Sequence, residues 1–270
     1  MCFRFLFKKE NNSIKNDIDT GNLPQQDENN EIETETIEQN EPTEPMEDYS
    51  KLMVHLDNGH AKSTPGKRSP GALVNKGYGD YTAEDLSLYE YEYNRIIVNE
   101  VNEKLKNLGF KTYIVTPETD KDISLTTRAN RSNVMATSHP EIKHIFISAH
   151  VNAAGDGKTW YTGNNASYWS AWTSRGQTAG DKLADCFYEA AEEILPKYGK
   201  KISKDMTDGD KDMESDFTVL VKTNSPAVLI ESLFMTNVDD VLFLKSEKGK
   251  NAIVDIYVNA IKKYYEKHVK

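Results

Sequence analysis

From Leu52 to the end of the chain, short apolar runs rich in β-branched residues alternate with longer segments whose apolar residues recur every three or four positions. A short apolar run is typical of a buried strand, and the longer recurrence is typical of a helix with one buried face. Strands that alternate with helices favour a parallel sheet. The predicted fold is therefore α/β: a single domain with a mostly parallel twisted sheet flanked by helices.

The predicted elements fill most of this region. Strands are predicted at 52–56, 111–115, 144–149, 217–221 and 227–230, and helices at 84–108, 124–137 and 179–195. A last helix carries Ile253, Tyr257, Ala260 and Tyr264 on one face. The run at 144–149 is apolar enough for a central strand of the sheet. No second domain is predicted.

The part of the chain before Leu52 has a different composition. Residues 27–48 contain ten acidic side chains and no basic one, interleaved with Asn, Gln, Thr and Pro. Such a segment cannot bury enough apolar surface to offset the entropy lost on ordering. We therefore predict a disordered acidic N-terminal tail over 1–49 and a folded catalytic domain over 50–270.

The distribution of charge bears on the partners of the protein. The net charge is −10, and residues 27–48 account for nearly all of it, so that the folded part is close to neutral. Its basic residues are scattered, which argues against a nucleic-acid partner. No apolar run approaches membrane-spanning length, so no membrane partner is predicted. The apolar N-terminus is interrupted by Arg4 and is too short for a signal peptide, which predicts synthesis in the cytoplasm without a recognisable export signal.

Three polar residues that could carry chemistry each follow a predicted strand: His60, His150 and Glu231. The carboxyl ends of parallel strands are where such sheets bind ligands. Two histidines and a carboxylate would meet the needs of a zinc site, and a further carboxylate could move the proton of an attacking water. Taken singly, His60 is typical of a loop residue and Glu231 of a buried acid held by backbone donors.

Four separated segments resemble the zinc-dependent N-acetylmuramoyl-L-alanine amidases, a family that includes bacterial cell-separation amidases and many phage endolysins. The first is Leu56-Asp57-Asn58-Gly59-His60, similar to the family's strand followed by Asp-Pro-Gly-His. The second places Glu90 four residues before Asn94. The third and fourth are Ser148-Ala149-His150-Val151-Asn152-Ala153 and the segment from Pro226 to Glu231 with Phe234 and Asn237.

The resemblance implies a site and a reaction. His60, Glu90 and His150 would be the zinc ligands, and Glu231 the catalytic acid and base. The substrate would be peptidoglycan, cut at the amide between N-acetylmuramic acid and L-alanine. Glu92 lies two residues from Glu90, so the choice between them as ligand stays open at this stage.

The chain departs from the family's pattern at three positions. Asn58 replaces the usual Pro, Ala149 the usual Ile, and Leu233 stands where a Gly commonly precedes the Phe. Two alternative functions stay open: a non-catalytic peptidoglycan-binding module, and a zinc hydrolase that cleaves another amide. The missing export signal favours a phage or prophage endolysin that reaches the cell wall through a partner holin, and a bacterial amidase exported by another route stays open. We expect a monomer.

Two loops carry residues that are open to a second interpretation. Asp205, Asp208, Asp210 and Asp212 form an acidic loop without the spacing or the terminal Glu of the helix–loop–helix calcium motif. This loop is predicted to be solvated. The loop from Trp160 to Trp172 is predicted either to fasten a long connection or to border the substrate groove.

Overall fold

A six-stranded sheet forms the centre of this computed structural model, which describes residues 47–71 and 81–270. The strands are β1 (Leu52–Asn58), β2 (Lys111–Ile114), β3 (Lys143–Asn152), β4 (Ser170–Thr173), β5 (Met213–Glu214) and β6 (Ala227–Phe234). Their order in the sheet is β2-β1-β3-β6-β4-β5. Neighbours among β2, β1, β3 and β6 are parallel, β4 is antiparallel to β6, and β5 is parallel to β4. The prediction of a mostly parallel sheet flanked by helices is confirmed.

Helices cover the two faces of the sheet unequally. They are α1 (Glu90–Asn107), α2 (Leu125–Ser138), α3 (Ala179–Ile194), α4 (Thr218–Val221), α5 (Val238–Lys245) and α6 (Glu247–His268). Side chains of α1, α3 and α6 form the large core together with one face of the strands. A smaller cluster on the other face joins Phe146 and Leu229 to Val219 and Leu220. One face of the sheet is therefore deeply buried and the other is thinly covered.

The alternation of side chains along the strands decides what the thin face carries. Ile145, Ile147 and Ala149 of β3 belong to the large core, whereas Phe146 belongs to the smaller cluster. Because side chains two apart in a strand share a face, Ser148 and His150 lie on the same face as Phe146. By the same rule Glu231 shares the face of Leu229. The polar residues of β3 and β6 thus lie on the thinly covered face.

Several predicted elements are wrong or have different bounds. Residues 217–221 form a helical turn rather than a strand, with Phe217 as the N-cap and the Val221 N–H bonded to the Phe217 carbonyl. One turn is enough to bury Val219 and Leu220, so the β-branched run does not need the sheet. The first helix begins at Glu90 instead of residue 84. β4, β5 and α5 were not predicted.

Both strands that carry candidate residues continue further than the sequence predicts. β3 ends at Asn152 and β6 at Phe234, so His150 and Glu231 lie inside these strands, while His60 follows the last residue of β1 by two positions. The strand-end placement predicted for His150 and Glu231 is corrected accordingly. A polar residue interrupts each apolar run near its end, which makes the strand look shorter in sequence than it is.

Almost all of the predicted tail, residues 1–49, lies outside the described residues. The first described residues, Glu47 to Tyr49, pack on the domain: the Tyr49 ring stacks on Phe110 at 4.2 Å and meets Tyr265 edge-on at 4.9 Å. Tyr49 is 6% exposed. The packed part of the chain therefore includes residues at the end of the predicted tail.

Candidate metal centre

His60, Glu90 and His150 come together from three different elements. His60 follows β1, Glu90 is the first residue of α1, and His150 lies in β3. Each offers a nitrogen or oxygen ligand atom, and these atoms all lie within 4.8 Å of one another. His150 Nδ1 is 3.0 Å from Glu90 Oε1, and His60 Nε2 is 3.5 Å from Glu90 Oε2. The cluster has the spacing and the donor set of a transition-metal site.

The backbone at Gly59 makes this approach possible. Gly59 donates its N–H to the Ala149 carbonyl at 3.0 Å, which ties the loop after β1 to β3. A Cβ at Gly59 would lie 2.5 Å from His150 Cε1 and from the same carbonyl oxygen. Asn94, four residues after Glu90, donates its side-chain amide to the Gly59 carbonyl at 3.1 Å. The next residue, His60, has a φ of 61°.

Glu90, and not Glu92, reaches the two histidines. The Glu90 side chain is 1% exposed, and its Oε1 accepts hydrogen bonds from His150 Nδ1 and from the Val151 N–H at 3.1 Å. Its Oε2 is buried and has no hydrogen-bond partner among the described residues. Glu92 is exposed and accepts a hydrogen bond from the Tyr91 hydroxyl at 2.6 Å. A buried carboxylate oxygen that accepts no hydrogen bond is expected of a residue whose partner is a metal ion.

The protonation of the cluster follows from burial and from the close charges. Burial lowers the pKa of His60 to about 4, which leaves its imidazole neutral at pH 7. Burial opposes protonation of His150 as well, but the hydrogen bond and the charge of Glu90 outweigh it and raise the pKa of His150. Burial would also raise the pKa of Glu90, yet His150 holds it below its usual range. Because the pKa of His150 is raised, protons compete with a metal ion for this histidine.

Glu231 stands beside this cluster on the neighbouring strand. It is paired with His150 in the register of β3 and β6, and both side chains line one cavity of about 360 Å³. Its Oε2 is buried without a hydrogen-bond partner in the described part of the chain. Burial raises the pKa of Glu231 to about 8. A carboxylate that readily holds a proton therefore faces the same cavity as the two histidines.

A hydrogen-bond chain behind His150 was not predicted from the sequence. His150 Nε2 is 3.1 Å from Ser148 Oγ, and the Ser148 hydroxyl donates to Asp57 Oδ2 at 2.8 Å. Asp57 is 1% exposed and accepts hydrogen bonds at its other oxygen from Arg128 and Thr116. Arg128 lines the same cavity, and its guanidinium is paired with both Asp57 and Asp122. The signal in the sequence for this hydrogen-bond chain is that Asp57 and Ser148 both belong to the matched motifs.

Two of the sequence departures have a visible consequence. Leu233, at the position where the resembling family commonly has Gly, has a φ of 65°, in the left-handed region that favours glycine. The register between β3 and β6 shifts just before it, between His150 and Asn152. Asn58 donates its side-chain amide to the Thr116 carbonyl at 2.9 Å. Leu233 therefore has a backbone conformation that a glycine adopts more readily, and Asn58 makes a side-chain hydrogen bond that a proline could not make.

The tryptophans of the aromatic loop do not line the cavity. Trp169 is fully buried in the large core, and Trp172 lies in β4, where it packs on Phe217. Trp160 donates its indole N–H to the Gly71 carbonyl at 3.0 Å. Of the two predicted roles, the contacts of all three tryptophans favour fastening of the long connection over a place at the border of the substrate groove.

Comparison with known proteins gives matches over most of the chain. The family model described as N-acetylmuramoyl-L-alanine amidase matches residues 54–263. The endolysin of Bacillus phage SPP1 is 28% identical over 169 residues, which are 61% of this chain and 55% of the endolysin. The uncharacterised protein YqiI of Bacillus subtilis (strain 168) is 24% identical over 213 residues, 79% of this chain and 84% of YqiI. The match thus spans about half the length of the phage protein.

Solved structures have the same fold. The N-acetylmuramoyl-L-alanine amidase from Clostridium difficile 630 is similar with a TM-score of 0.59 and 23% identity, over 82% of this chain and 99% of that one. The amidase Ami1 from Mycobacterium smegmatis gives a TM-score of 0.58 and 18% identity, again over 82% and 99%. At such identities the similarity establishes the fold.

Proposed function

The chain belongs to the N-acetylmuramoyl-L-alanine amidase family, and on that basis we propose that it is a zinc-dependent peptidoglycan hydrolase. The bond cut is the amide between the lactyl group of N-acetylmuramic acid and L-alanine. The observation that carries the proposal is the position of Glu231, which faces the same cavity as His60 and His150. This arrangement supports a substrate position between metal-binding atoms and a proton-transfer group.

His60, Glu90 and His150 are the residues that would hold the zinc ion. Three protein ligands from His and Glu leave a coordination position open, as catalytic zinc sites require. Zinc bound there supplies a Lewis acid that polarises the scissile carbonyl and lowers the pKa of water. The unpartnered Oε2 of Glu90 supports this assignment over a purely structural role for the cluster.

Glu231 performs the proton transfers. As a carboxylate it accepts a proton from the water that attacks the lactyl carbonyl, and it then delivers that proton to the alanine nitrogen as the C–N bond breaks. A carbon–oxygen bond replaces the carbon–nitrogen bond, and the products are a lactyl carboxylate and a free amine on L-alanine. Burial raises the pKa of Glu231 to about 8, which favours retention of the proton between the two transfers, whereas the positive charge of a bound zinc ion would favour the carboxylate form that accepts the proton.

Ser148 and Asp57 position His150 for this role. With Nδ1 directed at the cluster, the Nε2–H of His150 donates to Ser148 Oγ, whose own hydrogen goes to Asp57. A metal-ligating histidine commonly donates its second N–H in this way, which fixes the orientation of the ring. The buried ion pair of Asp57 with Arg128 keeps the carboxylate in place.

The similarity to the endolysin of a Bacillus phage supports a role for this chain as a phage or prophage lysin. Such a protein would be made in the cytoplasm, would reach the cell wall with the help of a holin, and would act there as a monomer. No helix in residues 47–71 and 81–270 is long and apolar enough to cross a membrane.

Incubation of the purified chain with peptidoglycan sacculi tests the proposed reaction. We expect new amino termini on L-alanine to appear without new reducing sugar ends. Binding to sacculi without release of amino termini would identify a binding module, and release of a different amino terminus would identify a hydrolase of another amide. Either result would overturn the proposal.

A further inference from the structure

A second cluster of carboxylates lies outside the amidase cavity. Asp181 is in the first turn of α3, and Asp210 and Asp212 precede β5. Each offers a carboxylate oxygen, and these oxygens lie within 4.8 Å of one another. None of the three residues lines the 360 Å³ cavity of the His/Glu cluster. The acidic loop that was predicted to be solvated therefore folds back on the start of a helix.

The centre of this cluster is buried. Asp212 is 2% exposed, which contradicts its predicted solvation, and Asp181 of α3 is 8% exposed. Asp208 of the same loop is exposed, as predicted, and Asp205 and Asp210 are half-buried. Asp212 Oδ2 accepts a hydrogen bond from the Thr173 hydroxyl at the end of β4. Its other oxygen, Oδ1, is buried and has no hydrogen-bond partner in the described ranges, and the same is true of Asp210 Oδ1. Two buried oxygens at one place thus lack a donor, which native proteins rarely tolerate.

The charge of the cluster is not balanced by neighbouring cations. Lys204 and Lys211, which flank the loop, both pair with Glu192. No ion pair within residues 47–71 and 81–270 involves Asp181, Asp210 or Asp212, and the uncharged side-chain amide of Gln177 lies 3.5 Å from Asp210 Oδ2. Burying carboxylates side by side without a cation is unfavourable by several kcal/mol or more, as an order of magnitude. A metal ion or a proton could supply the positive charge that neutralises them.

We propose that Asp181, Asp210 and Asp212 bind a calcium ion. All donors in the cluster are oxygens, the chemistry that hard cations select, and histidine or cysteine ligands are absent from it. Two of the ligands belong to an irregular loop, which suits the variable coordination of Ca²⁺ better than the strict octahedron of Mg²⁺.

The position of the site gives the ion a structural role. The ion would join three segments that share few backbone hydrogen bonds: the end of β4 through Thr173, the start of α3 through Asp181, and the 205–212 loop. Thr178 already uses both carboxylate oxygens of Asp181 in a capping box, which fixes the orientation of this ligand. Calcium is therefore expected to stabilise the edge of the sheet at β4 and β5 without touching the amidase reaction.

The competing explanation is a shared proton. Burial, together with the adjacent Asp210, raises the pKa of Asp212 to about 7 in the absence of a cation. A proton shared by Asp210 and Asp212 would form a hydrogen bond between unpartnered oxygens. It would also remove the negative charge that attracts a cation. The two explanations predict different responses to added CaCl₂: a calcium site binds the ion and is stabilised, whereas a proton-sharing pair shows neither effect.

Thermal unfolding and calorimetric titration of the zinc-loaded full chain with CaCl₂ test the proposal. We expect one calcium ion per chain and a midpoint that rises by about 3 to 6 °C at roughly ten times the dissociation constant. An equal concentration of MgCl₂ should give a smaller rise. Asp212→Asn should remove both the binding and the rise, whereas Asp208→Asn, at an exposed position of the same loop, should keep them.

Direct binding to the unaltered chain keeps the test decisive even if Asp212→Asn fails to fold. Absence of calcium binding would overturn the proposal, and stabilisation by mild acid alone would then identify the shared proton. An equal response to magnesium, or an unchanged response in Asp210→Asn, would also contradict it. The measurement does not use peptidoglycan, so its failure is independent of any failure of the amidase assignment.

Discussion

At the scale of single residues, the buried carboxylate of Glu90 holds the two histidines in one place. Replacing it with Gln keeps the shape but removes the negative charge and one of the two carboxylate oxygens. We expect Glu90→Gln to lower zinc affinity at least about 100-fold, because even outer positioning groups of metal sites contribute 10- to 100-fold. Bound zinc, measured after dialysis against a zinc buffer, checks the expectation.

Glu92→Gln is the matched control for that variant. Glu92 is exposed and bonded to Tyr91, so the zinc content of Glu92→Gln should equal that of the unaltered chain. Loss of zinc in Glu92→Gln with retention in Glu90→Gln would reverse the ligand assignment.

His55 gives the protein a pH dependence that is independent of the metal centre. It is fully buried, with Nδ1 2.7 Å from Ser132 Oγ and Nε2 3.0 Å from His144 Nδ1. Burial and the neighbouring His144 lower its pKa to about 3. The unfolded chain therefore holds more protons than the folded chain below about pH 6.5, so the free energy of unfolding falls as the pH falls from 6.5 towards 3.

This effect is measurable by urea unfolding at pH 6.5 and pH 5. The unaltered chain should lose about 1.6 kcal/mol more between these values than His55→Gln, because the unfolded histidine is half protonated at pH 6.5 and each pH unit well below that value contributes about 1.4 kcal/mol. Both proteins are compared without metal, so that titration of His150 is common to them. An equal loss in both would show that His55 becomes protonated in the folded state.

At the scale of elements, the loop after β1 is shaped by the absence of a side chain at Gly59. A methyl group there would meet the His150 ring and the Ala149 carbonyl, both at 2.5 Å. We expect Gly59→Ala to displace His150 and to lower zinc affinity about 10-fold or more while the circular dichroism spectrum stays unchanged. Gly71→Ala, where a Cβ meets nothing within 4 Å, should bind zinc normally. Equal zinc binding by both variants would show that the loop can shift without loss.

The sequence predicts elements well where one signal dominates. The apolar run of β3 and the apolar face of α6 were found because many consecutive residues agree on one period. The strand predicted at 217–221 is wrong because three of its five residues are β-branched and favour a strand, whereas a single helical turn is enough to bury the apolar side chains. β4 was missed because its four residues, Ser170–Thr173, lie among aromatic and polar residues without alternation.

The candidate site divides in the same way. His60, His150 and Glu231 were selected because each polar residue interrupts or follows an apolar strand, a local signal. The Ser148–Asp57 chain and the Asp181 cluster depend on contacts between residues that are far apart in sequence. Such contacts follow from the sheet order and the helix packing, which the periodicity of a single chain does not specify.

At the scale of the whole molecule, the two faces of the sheet have different tasks. α1, α3 and α6 bury one face, whereas the other carries the cavity with His150 and Glu231 and is covered mainly by α2 and α4. The large core and the cavity therefore lie on opposite sides of the same strands. Substitutions in the large core should change unfolding more than turnover.

The packing of Tyr49 sets a limit for shortening the chain. We expect a chain that begins at residue 47 to keep the unfolding midpoint and the lytic activity of the full chain, since the site and the Tyr49 contacts lie within it. Tyr49→Ala in the full chain should lower the free energy of unfolding by about 3 kcal/mol, because Tyr49 packs on Phe110 and Tyr265. A lower midpoint for the shortened chain would show that residues 1–46 contribute to the fold.

Glu231→Gln tests the central claim most directly, with bound zinc and the rate of L-alanine amino-terminus release from sacculi measured on the same sample. The account predicts one zinc ion per chain, as in the unaltered protein, together with a rate reduced about 10²- to 10⁴-fold, the usual contribution of a general acid and base. A zinc-loaded Glu231→Gln protein that releases L-alanine termini at the unaltered rate would contradict it.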